Sequence, residues 1–120
     1  MAFISTSKYI QFFSIESKTQ EEFLIIAIEA AKLLEWKIRN ISETGFIVYT
    51  SFSLNAWSEA FKLKIKDGIV TFNNEQTKQQ MADPWQNKVN INNFISTYNK
   101  LKNTFTAKEL EIMYEEQYKT

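Results

Sequence analysis

Two short segments concentrate the side chains that could do chemistry. They are Asn55-Ala56-Trp57-Ser58-Glu59 and Met81-Ala82-Asp83-Pro84-Trp85-Gln86-Asn87-Lys88-Val89-Asn90. Each sets a tryptophan among carboxylate, amide or ammonium groups, the mixture with which proteins hold small ligands: a flat apolar platform with a few polar contacts to orient the guest. In the second segment Trp85 would be the platform, and Asp83, Gln86, Asn87 and Lys88 the contacts. The plain structural alternative has Trp85 anchoring a long loop to the core while Asn87 or Asn90 caps the helix that follows. Trp57 divides the same way. It either closes one end of the core at a strand junction or stands beside Glu59, which could face a ligand or pair with Lys88.

The chemistry open to these segments is narrow, because the 120 residues include no histidine and no cysteine. Imidazole is the commonest general acid or base near neutral pH and the commonest metal ligand. Thiolate is the usual ligand for structural zinc and a ready nucleophile. Without either, no metal or cofactor is implied. Catalysis by carboxylates alone, as in glycoside hydrolysis, needs two acids facing across a cleft. Glu59 and Asp83 are the acids that fall outside helix surfaces and turns, and nothing in the sequence fixes their separation. No phosphate-cradling glycine loop and no nucleophile elbow is present.

The elements that must position these residues read as one domain. Eighteen aromatic residues can supply a large core, while two Gly and one Pro favour regular elements over disorder. Formal net charge is zero, which counts against a dedicated nucleic-acid binder. The charge is mildly segregated: residues 37–105 carry nine Lys or Arg against five Asp or Glu, and each end is acidic by two. No secretory pattern and no membrane-spanning apolar run is visible, so a soluble, cytoplasmic domain without membrane insertion is expected.

Tyr9–Ile15 is rich in strand formers. Thr19-Gln20-Glu21-Glu22 fits a capping box and opens a helix to about Trp36. Its apolar face is Phe23, Ile26, Ala27, Ala30, Ala31, Leu33 and Leu34, with Leu24 at the edge. Ile25 falls on the polar side with Glu22, Glu29 and Lys32. Strands follow at Lys37–Ile41, Phe46–Phe52, Glu59–Ile65 and Ile69–Phe72, with a glycine turn at Gly45 and a two-residue hairpin signal at Asp67-Gly68. Residues 73–90 read as loop. A second helix covers about Ile91–Thr104, with Ile91, Phe94, Ile95, Tyr98, Leu101 and Phe105 on one stripe. A second capping box, Thr106-Ala107-Lys108-Glu109, opens a short last helix over 106–120 that has few apolar residues and docks weakly. The expected fold is α+β, β-α-β-β-β-β-α-α. A five-stranded curved antiparallel sheet carries the helices on one face, a topology like that of the TATA-box-binding protein. Such topology carries no function.

With Val48, Phe61, Leu63, Ile65, Val70 and Phe72 under the helices, the other face shows Ile47, Tyr49, Ser51, Lys62, Lys64, Ile69 and Thr71. Interleaved aromatics and lysines on an open sheet suit single-stranded nucleic acid. They suit a homodimer contact or another protein equally well.

Over residues 30–118 the chain resembles an uncharacterised group of small bacterial domains. The residues that carry the likeness are Leu34-Glu35-Trp36-Lys37-Ile38, Ser51-Phe52-Ser53 with Trp57-Ser58-Glu59, and Asp83-Pro84-Trp85-Gln86-Asn87-Lys88 followed by Asn90 and Ile91. That group shows an Asp-Trp-Gly-Lys-Asn order, where this chain has Pro84 inserted and Gln86 in place of glycine. Such domains occur alone or ahead of membrane segments, including those of rhomboid-like proteases. The resemblance implies an accessory or regulatory role, with no catalytic residue of its own.

The residues together point to a non-enzymatic binding or interaction module. Its site would be the rim where Trp57, Glu59, Asp83, Trp85, Asn87 and Lys88 meet. The alternative is an accessory domain that contacts a protein or membrane-protein partner through the sheet face of Tyr49, Lys62 and Lys64, with a homodimer as one variant. A carboxylate-only enzyme is the remote third reading.

Overall fold

The computed structural model describes residues 10–15, 18–50, 60–74 and 84–119. The chain is α+β, with an antiparallel sheet and three helices. Its elements are β1 (Ile10–Ser14), α1 (Gln20–Leu33), β2 (Lys37–Ser42), β3 (Gly45–Tyr49), β4 (Ala60–Lys66), β5 (Ile69–Asn74), α2 (Pro84–Leu101) and α3 (Ala107–Tyr118).

Strands β2 to β5 form a meander of antiparallel neighbours, and β1 pairs with β5, giving the order β1-β5-β4-β3-β2. The β4–β5 turn is the expected hairpin: Asp67 and Gly68 both take positive φ, at 53° and 78°. At Gly45 the backbone also has positive φ, 152°, and a Cβ there would run into the carbonyl of Leu63 on β4, so close strand approach requires glycine. Because β1 and β2 lie at opposite edges, α1 is the element that carries the chain from one edge of the sheet to the other.

Alternation along the strands puts Phe46, Val48, Phe61, Leu63, Ile65, Val70 and Phe72 on one buried face. Phe23, Ile26, Ala27, Ala30 and Ala31 of α1 and Ile91, Phe94 and Tyr98 of α2 complete the core. Phe23 meets Tyr98 with ring centroids 5.2 Å apart, and Phe94 meets Phe72 edge-on at 5.5 Å.

Both capping boxes form as the sequence indicates. Thr19 accepts from the backbone N–H of Glu22 at 3.1 Å, and Glu22 accepts in return from the N–H of Thr19 at 3.0 Å. Thr106 and Glu109 repeat this at 3.1 and 2.8 Å. Helix α3 contacts α1 and buries Leu110, with Met113, Tyr114 and Tyr118 packed against the core's edge.

Several boundaries and one face differ from the sequence reading. Ile25, assigned to the polar side of α1, is only 3% exposed. It stands one turn beyond Glu21 and Glu22, which share a cleft with Leu110 and Tyr114, so it lies on the side that α3 covers. Leu33 is the reverse case, expected inside but 64% exposed. It lies one turn beyond Glu29, at the margin of the apolar arc.

Helix α1 also stops at Leu33 and does not reach Trp36. The N–H of Trp36 donates to the Ala31 carbonyl at 3.0 Å and that of Glu35 to Lys32 at 2.9 Å, the paired bonds of a Schellman ending. Glu35 holds the left-handed position (φ 63°) where glycine is usual, so the stop carries no glycine signal. The turn releases Trp36 to stack at 6.0 Å on Phe94 and 6.4 Å on Phe61.

The largest correction concerns residues 84–90, read as loop. They form the first two turns of α2, which runs from Pro84 to Leu101 and ends before Thr104. Proline fits the first turn of a helix because that N–H has no intrahelical partner and φ is already helical. Asn87 and Asn90, poor helix formers, masked the continuity.

Glu35 is exposed and holds a strained conformation, so Glu35→Gly is expected to raise stability by about 0.5–1 kcal/mol, the relief of strain exceeding the added freedom of the unfolded chain. Urea denaturation of the two proteins checks this, and a loss of stability would show that the Glu35 side chain holds something in place.

Candidate functional site

The sequence-derived rim falls largely elsewhere than on described backbone. Trp57, Glu59, Asp83 and Ser51 lie outside the described residues. Trp85, Asn87 and Lys88 sit on the first turns of α2, so Asn87 and Asn90 are within the helix and neither caps it. The structure does bring together the other predicted group, Tyr49, Lys62 and Lys64, on the outward side of the sheet.

Strand register builds that face row by row, since residues directly opposite in an antiparallel pair share a side. Lys37 lies opposite Tyr49, and Arg39 opposite Ile47, which in turn faces Lys62 and then Asn73. Lys64 pairs with Thr71, and Lys66 with Ile69. The inward neighbours Ile38, Val48, Phe61, Leu63 and Val70 alternate with them. Along β4 the ammonium-bearing residues therefore recur every second position, about 6.6–6.8 Å apart, and β2 runs about 9–10 Å to the side with β3 between.

Charge on the sheet is one-sided in sign. Across the described strands the charged residues are Lys37, Arg39, Lys62, Lys64 and Lys66, with no carboxylate. Among the described residues the acids sit on the helices, as Glu21, Glu22, Glu29, Glu109, Glu111, Glu115 and Glu116, or in turns, as Glu35, Glu43 and Asp67. Among the described residues none of the five strand cations makes an ion pair. The pairs that form, Lys32–Glu29 at 3.5 Å and Lys119–Glu115 at 4.0 Å, are on helices. Arg39 donates to the neighbouring Ile38 carbonyl at 3.1 Å. Tyr49, Ile47 and Lys62 are half-buried, Lys64 and Lys66 exposed, and Ile69 is 42% exposed. A depression of about 170 Å³ opens here between Asn40, Ser42, Thr44, Ile47, Lys62 and Lys64.

The sequence reading assigned Tyr49, Lys62 and Lys64 to one face, as the register has them, and left out Lys37, Arg39 and Lys66, which share it. The spacing Lys37-x-Arg39 was the available signal, because alternation puts both on one side of a strand. Which side depends on the pairing of β2 with β3.

A second concavity, about 410 Å³, lies between the start of α1 and α3 and includes Glu21, Glu22, Glu111 and Glu115. Its groups already have structural work: Glu22 closes the capping box and Glu115 pairs with Lys119. Among the described residues no cluster of three His, Cys, Asp or Glu side chains could hold a metal ion. No described helix is long and apolar enough to cross a membrane. Beside this cleft Tyr114 and Tyr118 stack at 4.4 Å. Burial, then Tyr114 and Glu43, push the Tyr118 hydroxyl up to about 12.

That shift has a sign. The folded chain holds the Tyr118 proton more tightly than the unfolded chain, so the stability linked to it is complete below about pH 10 and is lost as pH rises toward about 12. Tyr118→Phe is expected to flatten the alkaline arm of a stability–pH curve over that window and to leave stability near pH 7 unchanged or slightly raised, since the buried hydroxyl has no hydrogen-bond partner among the described residues. The unpaired strand cations give a different expectation. Thermal stability should rise as salt goes from about 20 to 300 mM, because screening relieves like-charge repulsion, and Lys64→Gln should shrink that rise. A melting temperature that falls with salt would mean that the lysines are paired.

No protein-family model matches the chain, and neither the curated proteins nor the solved structures contain a significant match.

Proposed function

We propose that the chain is a non-enzymatic binding module that meets an acidic partner through the outward face of its sheet. The observation that carries this is the segregation of charge: Lys37, Arg39, Lys62, Lys64 and Lys66 on the described strands, no carboxylate among them, and none of the five in an ion pair among the described residues. Clustered cations repel one another, and keeping them unpaired costs stability unless a partner supplies the opposite charge. The half-buried Tyr49 and Ile47 and the exposed Ile69 give the same face some apolar surface to cover.

The charge argues against one variant of this reading. In a two-fold dimer the same patch meets itself, and five cations would face five. A partner of opposite sign is therefore favoured over a second copy. The sheet face is also preferred to the rim of Trp57, Glu59, Asp83 and Trp85, because position, exposure and charge support it together. The same reading takes the fold as a five-stranded curved sheet of TATA-box-binding-protein-like topology. It takes the chain as an accessory domain of the small bacterial type, working in the cytoplasm.

Immobilised heparin, a polyanion without bases, tests the face. The native chain should be retained at low salt, and Lys62→Glu/Lys64→Glu should elute in the flow-through with its circular dichroism unchanged. No retention of the native chain, or equal retention of the variant, would refute the proposal.

A further inference from the structure

We infer that the acidic partner is a single-stranded nucleic acid lying along β4, an inference that rests on the sheet-face reading above and narrows it to one ligand class. Three features of the face favour such a strand. The first is periodicity. Lys62, Lys64 and Lys66 recur on the central strand of the order β1-β5-β4-β3-β2, about 6.6–6.8 Å apart, an interval similar to that between phosphates of an extended single strand. An acidic surface with no regular repeat would gain nothing from that ladder.

The second feature is a place for bases. Between the β4 ladder and the second cation column, Lys37 and Arg39 on β2, lies β3 with Tyr49 and Ile47. Tyr49 is opposite Lys37 and diagonal to Lys62, within the about 7–8 Å at which diagonal neighbours interact. A base stacked on the Tyr49 ring would leave its phosphates beside cations on both sides. Stacking of this kind tolerates any base, because every base has a π-face. A lipid surface offers nothing for that ring to stack on. A duplex hides its base faces and admits a helix or a two-stranded ribbon into its groove, not a whole sheet.

The third feature is distance from the acids. Zero net charge counts against nucleic acid when the chain is taken as a whole, but among the described residues the strands carry no carboxylate, and seven of the ten acids belong to α1 and α3. A helical layer stacks on a sheet about 10 Å away, and charges separated by more than about 8 Å are largely screened at physiological salt. A strand on the outer face would meet the cations directly.

Fluorescence anisotropy with labelled 12-residue oligothymidylate and oligouridylate tests the inference from about 20 to 200 mM salt. Neutralising three to five phosphates should give a log–log salt slope between about −2 and −3.5. Lys62→Glu/Lys64→Glu should weaken binding by at least tenfold and flatten the slope. Tyr49→Ala should weaken binding about tenfold at every salt concentration with the slope unchanged, and Tyr49→Phe should restore it. Folding of each variant is read by circular dichroism and thermal melting. The inference falls if no oligonucleotide binds at 20 mM salt, if Tyr49→Ala binds like the native chain, or if duplex DNA, polyglutamate or phosphatidylserine vesicles bind as tightly as the oligonucleotides. Heparin retention without oligonucleotide binding would sink this inference alone, whereas loss of both would sink the sheet-face reading as well.

Discussion

The structure depends on the burial of α1 against one side of the sheet. Strands β1 and β2 occupy opposite edges, and α1 is the connection that spans the distance between them. Phe23 to Ile28 form an unbroken buried run, and Ala30 and Ala31 follow with no exposure. A helix with apolar residues on nearly every side cannot be satisfied by a sheet beneath it alone. It needs flanking cover, and it contacts α2 and α3. The small alanines permit close approach, while Phe23, Tyr98, Phe94 and Phe72 fill the space between layers. The capping boxes then fix where α1 and α3 begin, by pairing backbone donors that would otherwise lack partners. Gln20 further ties the start of α1 to the β2–β3 turn, donating to the Glu43 carbonyl at 2.9 Å.

One-sided cover has a consequence for charge. Every second residue of β3, β4 and β5 goes under the helices, and burying an unpaired ammonium there would be prohibitive. Cations in the strand sequence are therefore compatible only with the alternate positions, and Lys62, Lys64 and Lys66 occupy them. The described carboxylates sit on helices and in turns, where Glu22 and Glu109 accept from backbone donors and Glu21 adds to a favourable first-turn charge. Strand burial and helix capping thus leave the described strands with cations alone, while the helices carry charges of both signs.

The edges of the sheet show the same economy. β2 is exposed along most of its length, yet Lys37 and Arg39, positive φ at Asn40 and an irregularity between Arg39 and Ser42 interrupt the flat edge that another strand would need. Gly45 permits the close passage of β3 over the Leu63 carbonyl, which keeps the pairing with β4 in register next to that irregularity.

What the sequence determined by itself was local. The capping boxes at Thr19 and Thr106, the Asp67-Gly68 hairpin, the alternation of Phe61, Leu63 and Ile65, and the α+β class with an antiparallel sheet all follow from side-chain chemistry and spacing over a few residues. The tertiary structure decided what depends on neighbours distant in sequence. Ile25 is buried on a helix that packs against both α2 and α3, and α1 stops at Leu33 in a turn that places Trp36 on Phe94 and Phe61. Pro84 to Asn90 are helical although their composition reads as loop, since a mostly polar stretch leaves only a weak periodic trace. The basic face is the clearest case. Lys37 and Arg39 are distant in sequence from Lys62, Lys64 and Lys66, and only strand pairing, a matter of register and not of composition, sets them on one surface.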